Sequence, residues 1–269
     1  MSAVEIFSVG DELLRGVVAD TNSHWMAKRI ASRGASLTRV VVLPDQPEVV
    51  GDELRRALER APALLLTQGG LGPTDDDRTR EAIAIGARRP LEPNPEALSI
   101  VTRRYAELAA AGHVADAALN EARLRMTRLP RGARAMDNQV GAAPGVILEL
   151  ERTTIVALPG VPPELRWMWE NPLAPELDRV LGPGGFADIT VRLDLRDESA
   201  IAELLRGVQQ RHPEVYVKSR ARSFDAGDEV RVTLTAAGAS DDAARLLVEA
   251  AFADVGAELD RAGVAILPD

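Results

Sequence analysis

The sequence has no cysteine, which removes disulfides, thiolate nucleophiles, zinc ribbons and iron–sulfur clusters together. It is poor in aromatics, at 3% of residues, and its three histidines, His24, His113 and His212, fall at spacings that match neither a metal pair nor a catalytic triad. The Gly-x-Ser-x-Gly elbow of common serine hydrolases is also missing. No apolar run approaches the roughly 20 residues that span a bilayer. The first ten residues carry Glu5 early and lack the basic and apolar regions of a signal peptide. The expected address is the cytoplasm, with no membrane partner. The 32 basic residues stand against 41 acidic ones, a net charge of −9, so nucleic acid held by a broadly basic surface is not expected. Only Lys28 and Lys218 are lysines. An arginine skew beside abundant alanine is what a coding bias toward G and C produces, and we do not read it as phosphate recognition.

What is present is a chain of 269 residues, 46% hydrophobic and 27% charged, enough for one large or two ordinary domains at about 100–200 residues each. Val4 to Val9 alternates as a strand. A helix follows, with caps offered by Asp20, Thr21 and Asn22 and a stop at Gly34. A strand at Leu37 to Leu43, a helix to Arg60 and an uninterrupted apolar strand at Ala63 to Thr67 complete a β-α-β-α-β order with short links. That order predicts an α/β fold with an open, doubly wound, mostly parallel sheet. Further on, the patterning predicts a helix from about Asp76 to Gly86 and a long helical stretch from Pro95 to Met126 broken near Gly112. Strands at Val146 to Leu150 and Thr153 to Leu158 follow, then a helix at Pro163 to Asn171. Leu181 to Gly185 is the most flexible composition in the chain and is taken as the boundary between domains 1–180 and 186–269. The second domain reads as strand Ile189 to Leu195, helix Ser199 to Arg211, strands Val215 to Phe224 and Val230 to Thr235, and helix Asp241 to Leu259, a small βαββα two-layer unit.

The segment from Thr67 to Thr79 joins the buried strand to a helix and is the most informative in the chain. In an open parallel sheet the carboxyl ends of the strands border the ligand crevice, and a helix N-terminus there offers free N–H groups. Gly69, Gly70 and Gly72 let backbone approach a phosphate with no Cβ in the way. Asp75, Asp76 and Asp77 would repel a bare phosphate unless a divalent cation lies between, so the combination points to a phosphate ester bound through metal. The plainer alternative is a tight turn with aspartates capping the helix. No Gly-Lys-Ser/Thr follows and Asp75 stands at the third glycine position, so neither a Walker A loop nor a G-x-G-x-x-G motif is present. Gly10-Asp11-Glu12-Leu13-Leu14, with Asp20 to Asn22, opens on the same edge, as does Asp45 after the second strand. Three loops thus bring carboxylates to one crevice. Trp167 and Trp169 either stack a ring or pack the core. In the second domain Lys218, Arg220 and Arg222 alternate onto one face, with Arg231 on the strand expected to pair with it; they read as an anion landing site or as charge that discourages edge pairing.

These segments, with Asn138-x-x-Gly141-x-Ala143-Pro144-Gly145 and Leu158-Pro159-Gly160-Val161-Pro162-Pro163-Glu164, resemble the molybdopterin-binding-like domain of the competence/damage-inducible protein A (CinA) family. The four motifs agree in order and spacing over roughly residues 4 to 170, and the tail resembles that family's small second domain. The resemblance implies a three-layer α/β fold shared with the molybdenum-cofactor proteins MoaB and MogA. For the CinA branch it implies metal-dependent hydrolysis of ADP-ribose or a related dinucleotide such as FAD to AMP and a phosphate ester. It also implies a homodimer, and it matches Asp45 and Asp77 to the functional carboxylates of molybdopterin adenylyltransferases. Gln68 stands where the family usually shows Thr, a position expected to touch ligand through backbone only. The family's C-terminal nicotinamide-nucleotide deamidase domain has no room before Asp269, so that activity is not expected.

The resulting assignment makes Asp45, Asp76 and Asp77 catalytic and gives Glu12, Asp76 and Asp77 to a divalent metal, Mg²⁺, Mn²⁺ or Co²⁺. Gly10, Glu12, Asp20, Asn22, Gly69, Gly70, Gly72 and Thr74 contact a nucleotide or pterin ligand, and Asn138, Gly141 and Pro144 shape the adjoining wall. Two other functions share these residues: molybdopterin binding or adenylyl transfer in molybdenum cofactor metabolism, and a binding or scaffold module without turnover, linked to competence or DNA damage.

Overall fold

The computed structural model describes residues 2–221 and 229–268. Two compact units divide the chain, one of residues 1–30 and 36–182, the other of residues 31–35 and 183–269.

In the first unit β1 (Ala3–Val9), α1 (Asp11–Leu14), α2 (Thr21–Ala31), β2 (Ser36–Leu43), α3 (Pro47–Arg60), β3 (Leu64–Gln68) and α4 (Thr79–Gly86) follow the expected alternation. Then come β4 (Leu91–Pro93), α5 (Pro95–Ala110), α6 (Glu121–Arg125), β5 (Arg128–Pro130), β6 (Arg134–Met136), β7 (Gly145–Glu149), β8 (Thr154–Leu158), α7 (Pro162–Glu170) and α8 (Ala174–Leu181). Six strands form one sheet in the order β2-β1-β3-β8-β7-β6. The first four are parallel, with Ile6 opposite Leu66 and Leu66 opposite Val156; β7 pairs antiparallel with both β8 and β6, so β7 alone runs against the rest.

Side chains alternate across a strand, and here both faces are covered. Phe7, Leu65 and Ile155 pack with Leu54 of α3, Ile83 of α4 and Val101 of α5. Ile6, Leu66 and Val156, aimed the other way, are equally buried, as are Met26 of α2, Leu165 of α7 and Leu177 of α8. The three-layer, mostly parallel α/β architecture is therefore present. Because β7 runs against β8, with Val146 opposite Ala157, the loop that precedes β7 emerges at the carboxyl end of β8. The Asn138 motif thereby joins the rim formed by the loops after β1, β2 and β3.

Local differences from the sequence reading have physical causes. The helix expected from Asp76 begins at Thr79, with Arg78 as its N-cap. The Asp77 carboxylate accepts from the Thr74 backbone N–H (2.9 Å), which folds the three aspartates into a turn ahead of the helix. The stretch expected to be helical to Met126 stops at Ala110 and resumes only at Glu121, where the Asn120 side chain accepts from Arg123 N–H. The Pro-rich link contributes β4, paired with β5, and an extra helix, α8, follows α7.

In the second unit β9 (Gly185–Asp194), a 3-10 turn (Glu198–Ile201), α9 (Ala202–Arg211), β10 (Val215–Ala221), β11 (Glu229–Gly238), α10 (Asp241–Ala262) and β12 (Ile266–Leu267) form an antiparallel sheet, β10-β11-β9-β12, with two helices. Strand β9 starts four residues before the expected Ile189, because Gly185 to Asp188 pair with Thr235 to Gly238 of β11. Arg222 and the expected strand end at Phe224 lie outside the described residues. Arg220 stands opposite Arg231, and Arg231 opposite Arg192. Arg192 and Arg231 both pair with Glu229. Among the described residues no helix is long and apolar enough to cross a membrane.

Candidate functional site

A cavity of about 600 Å³ opens at the carboxyl ends of β1, β3 and β8. Its lining includes Gly10, Glu12, Asp45, Gly69, Gly70, Gly72, Asp76 and Asp77, eight of the residues singled out from the sequence. The glycine loop is locked from behind. Gly69 lies at φ +91°, and a Cβ there would collide with the Val9 carbonyl oxygen, so the tight exit from β3 requires glycine. The Thr79 hydroxyl donates to Gly69 O (2.8 Å), and Thr79 N–H donates to Gly70 O (3.1 Å). Arg80, 3% exposed, donates from one guanidinium to Leu71 O (2.7 Å) and Gly72 O (3.1 Å). Burial pulls the Arg80 pKa down to about 10 against the charge of Asp77, so it remains a cation at neutral pH. With the carbonyls held on that side, the N–H groups of Gly70, Leu71 and Gly72 donate to no protein atom among the described residues.

The three consecutive aspartates have separate roles. Asp75 pairs outward with Arg125 and does not line the cavity. Asp76 and Asp77 both take the Thr74 hydroxyl as a donor, and that bond holds the Asp76 carboxyl below its ordinary pKa. Thr74 is thus turned to its own aspartates and is not on the cavity wall. Asp45 and Asp11 clamp the loops after β1 and β2, with Asp11 N–H donating to the Asp45 carboxylate (2.8 Å). Burial raises the Asp45 pKa; that hydrogen bond opposes the rise, and the negative charges of Glu12, Asp11 and Asp76 add to it. No three carboxylates or histidines among the described residues converge closely enough to form a ready-made metal cage. Hard carboxylate oxygens on a cavity wall fit the other common arrangement, in which a cation takes one or two carboxylates and completes its shell with ligand phosphate and water.

Asp20 and Asn22 are not on the lining. Both belong to a side-chain circuit beneath the cavity floor. Ser8 Oγ donates to Asp20 (2.6 Å), Gln68 Nε2 reaches Ser8 Oγ and Asp20 (2.9 Å each), and Asn22 Nδ2 donates to Gln68 Oε1 (2.7 Å) and Gly160 O (2.8 Å). Gln68 therefore acts through its side chain, and it ties β1, β3 and α2 together. Asn138, fully buried, is likewise off the lining, with Gly141 and Pro144. Its Oδ1 accepts from Gly141 N–H (2.8 Å), and its Nδ2 donates to Ala143 O (3.0 Å) and to Glu164 Oε2 (2.6 Å). Trp169 is buried edge-to-face on Trp25, with ring centroids 5.6 Å apart. Neither Trp167 nor Trp169 faces the cavity.

The sequence reading missed Arg80, Glu164, Tyr105 and Met126. Arg80 is one of 32 basic residues, and nothing marks it until burial does. Glu164 lay inside a quoted motif, and its position directly after two prolines at a strand exit was the available signal.

The family described as the probable molybdopterin binding domain matches residues 5–179. A protein of Aeropyrum pernix is 37% identical over 241 residues, covering 89% of this chain and 87% of its own length. One of Pyrococcus horikoshii is 36% identical over 220 residues, covering 82% and 84%. The crystal structure of the protein CinA, of unknown function, from Thermoplasma acidophilum superposes with a TM-score of 0.58 at 28% identity, covering 66% of this chain and 98% of that one.

Proposed function

The chain belongs to the probable molybdopterin-binding-domain family, as a CinA-like member, and from that premise we propose that its cavity binds a phosphorylated pterin and serves an adenylyl-transfer or pterin-handling step of molybdenum cofactor metabolism. The observation that carries this reading is the run of N–H groups at Gly70, Leu71 and Gly72 that donate to no described protein atom, in a loop that Arg80 and Thr79 fix and that lines a cavity otherwise walled by carboxylates and apolar groups. A preorganised row of N–H donors suits phosphate oxygens.

In adenylyl transfer a pterin phosphate oxygen attacks the α-phosphorus of ATP, and pyrophosphate leaves with the electron pair of the broken bond. The attacking phosphate is already ionised, so no base is needed. The chain's residues position the two phosphates in line and shield them from water. Asp76, Asp77 and Glu12 are the side chains that would hold a divalent cation, which neutralises phosphate charge when bound.

Hydrolysis of a dinucleotide pyrophosphate is the second reading, favoured by one feature. Asp45 is made more basic by burial and by three neighbouring acids, which suits a carboxylate that takes a proton from an attacking water.

One experiment tests both. The purified chain is incubated with molybdopterin and ATP, and separately with ADP-ribose or FAD, each with Mg²⁺, Mn²⁺, Co²⁺ or chelator, beside the Asp76→Asn/Asp77→Asn variant. Pyrophosphate release that needs the pterin and vanishes in the variant supports adenylyl transfer. AMP release from a dinucleotide alone moves the assignment to the hydrolase. Pterin binding without turnover leaves a binding module, and absence of pterin binding overturns the proposal.

A further inference from the structure

We propose that Glu164 recognises the ring end of the ligand, its carboxylate accepting from the exocyclic amino group and adjacent ring N–H of a 2-amino-4-oxopyrimidine edge, the edge shared by pterins and guanine. This rests on the proposed function in taking the cavity as the ligand site, and it assigns the wall that follows β8.

Four observations support it. Glu164 lines the cavity together with Val161, an exposed apolar side chain against which a flat ring can lie. The carboxylate is held in place, because Oε2 accepts from Asn138 Nδ2 at 2.6 Å and Asn138 is anchored in turn to Ala143 O and Gly141 N–H. Gly141 packs directly beneath it, where a Cβ would overlap the carboxylate. Finally, Oε1 accepts no hydrogen bond from any described residue. Arg104, the cation that faces Glu164, donates instead to Gly141 O (2.8 Å) and to Glu107. A half-buried carboxylate with one oxygen fixed, one free and no ion pair is poor structural design, yet it is what pairing with two adjacent N–H donors requires.

The polarity of this wall agrees. Helix α7 begins Pro162-Pro163, so its first two positions have no N–H to offer an anion. Phosphate is thereby left to the Gly70 to Gly72 loop, and the ring is left to Glu164.

The test is a binding series on the full chain, by calorimetry, with GMP, IMP and AMP, which differ only in the base edge, and with 6-hydroxymethylpterin against its 2-oxo analogue, the lumazine. Glu164→Gln is the informative variant. Asn138 Nδ2 will claim the new amide's oxygen, which turns its NH₂ toward the ligand, donor against donor. We expect wild type to favour GMP over IMP and pterin over lumazine by about ten- to hundredfold, Glu164→Gln to abolish both preferences with IMP, which offers the carboxylate only its ring N–H, weakened less than GMP, and Asn138→Ala to lower both preferences without inverting them. Equal affinity of wild type for GMP and IMP overturns the assignment. So does a Glu164→Gln variant that loses GMP, IMP and AMP alike, since Glu164 would then bind the ribose that all three share. Binding of inorganic pyrophosphate separates the two levels. If pyrophosphate binds and ring discrimination is absent, Glu164 alone is misassigned; if neither pyrophosphate nor any ring binds, the cavity is not the ligand site and both readings fall.

Discussion

Arg80 offers the sharpest test of how the glycine loop is held. Its guanidinium makes two hydrogen bonds to main-chain carbonyls, Leu71 O and Gly72 O, from a position 3% exposed. Hydrogen bonds from a charged donor contribute about 1.5–3 kcal/mol each, so two of them amount to about 3–6 kcal/mol. Part of that is offset, because the guanidinium gives up its own hydration to reach them, as its pKa of about 10 records. An Arg80→Met variant, of similar reach, is expected to lose about 2–4 kcal/mol after the offset. Arg80→Lys keeps the charge but lacks the planar fork that spans two carbonyls, so it should recover only part of the loss. The assay is urea unfolding followed by tryptophan fluorescence, since Trp25, Trp167 and Trp169 all lie in the first unit and report on it alone. Amide exchange across residues 69–79 should quicken by about tenfold or more in Arg80→Met. If Arg80→Met unfolds within about 1 kcal/mol of wild type, or if the loop amides keep their wild-type exchange, the guanidinium does not hold the loop and the reasoning fails.

Three further outcomes are expected. Gly69→Ala should cost at least about 2–3 kcal/mol, because a left-handed backbone and a collision with Val9 O coincide there; a midpoint in urea unchanged from wild type refutes the requirement. Thr67→Val removes a buried hydroxyl that has no partner among the described residues, and it should raise stability by about 1 kcal/mol, whereas a loss of that size would mean that the hydroxyl is satisfied in solution. Asp20 concerns pH. Burial pushes its pKa up, but hydrogen bonds from Ser23, Ser8 and Gln68 outweigh it and leave the carboxyl below its ordinary value of 3.8. Its contribution is therefore complete above that value and lost as pH falls through the lower folded value. Unfolding midpoints measured from neutral to acid pH should show that decline in wild type and a shallower one in Asp20→Asn; identical slopes would remove Asp20 from the account.

Much of the first unit was legible because its signals were strong and local. The apolar run before Gln68 has one reading as a doubly buried parallel strand, and a glycine loop after such a strand has one natural place in an open sheet. The eight cavity residues singled out from sequence all lie in the connections directly after strands, Glu12 in the short helix α1, where chain order alone fixes the edge on which they appear. Asp20 and Asn22 were singled out for the same reason, and the structure places them off the lining. They sit at the right edge, but whether a side chain there faces ligand or floor depends on what else is buried beneath it, and Ser8 and Gln68 decide that from other strands. Asn138 followed suit, a polar residue whose bonds are all spent on holding Glu164 and its own turn. Arg80 was invisible because a buried arginine and a surface one look alike in a helix with arginines on either side. The reversal of β7 was also beyond local patterning, since a short strand carries no mark of direction.

The floor circuit of Ser8, Asp20, Asn22 and Gln68 has a consequence for how this sequence can change over time. Most of its hydrogen bonds run between its own members, with Asn22 also reaching Gly160 O and Asp20 also held by Ser23 N–H, so a change at one member is felt by its neighbours. A threonine at position 68, the residue the family usually shows, is too short to bridge Asp20 and Asn22, and would leave Asp20 to Ser8 and Ser23 and Asn22 to Gly160 O. Because the Asp20 to Asn22 segment resembles the family's while Gln68 departs from it, position 68 should change independently of 20 and 22, at the cost of the tie between β3 and α2.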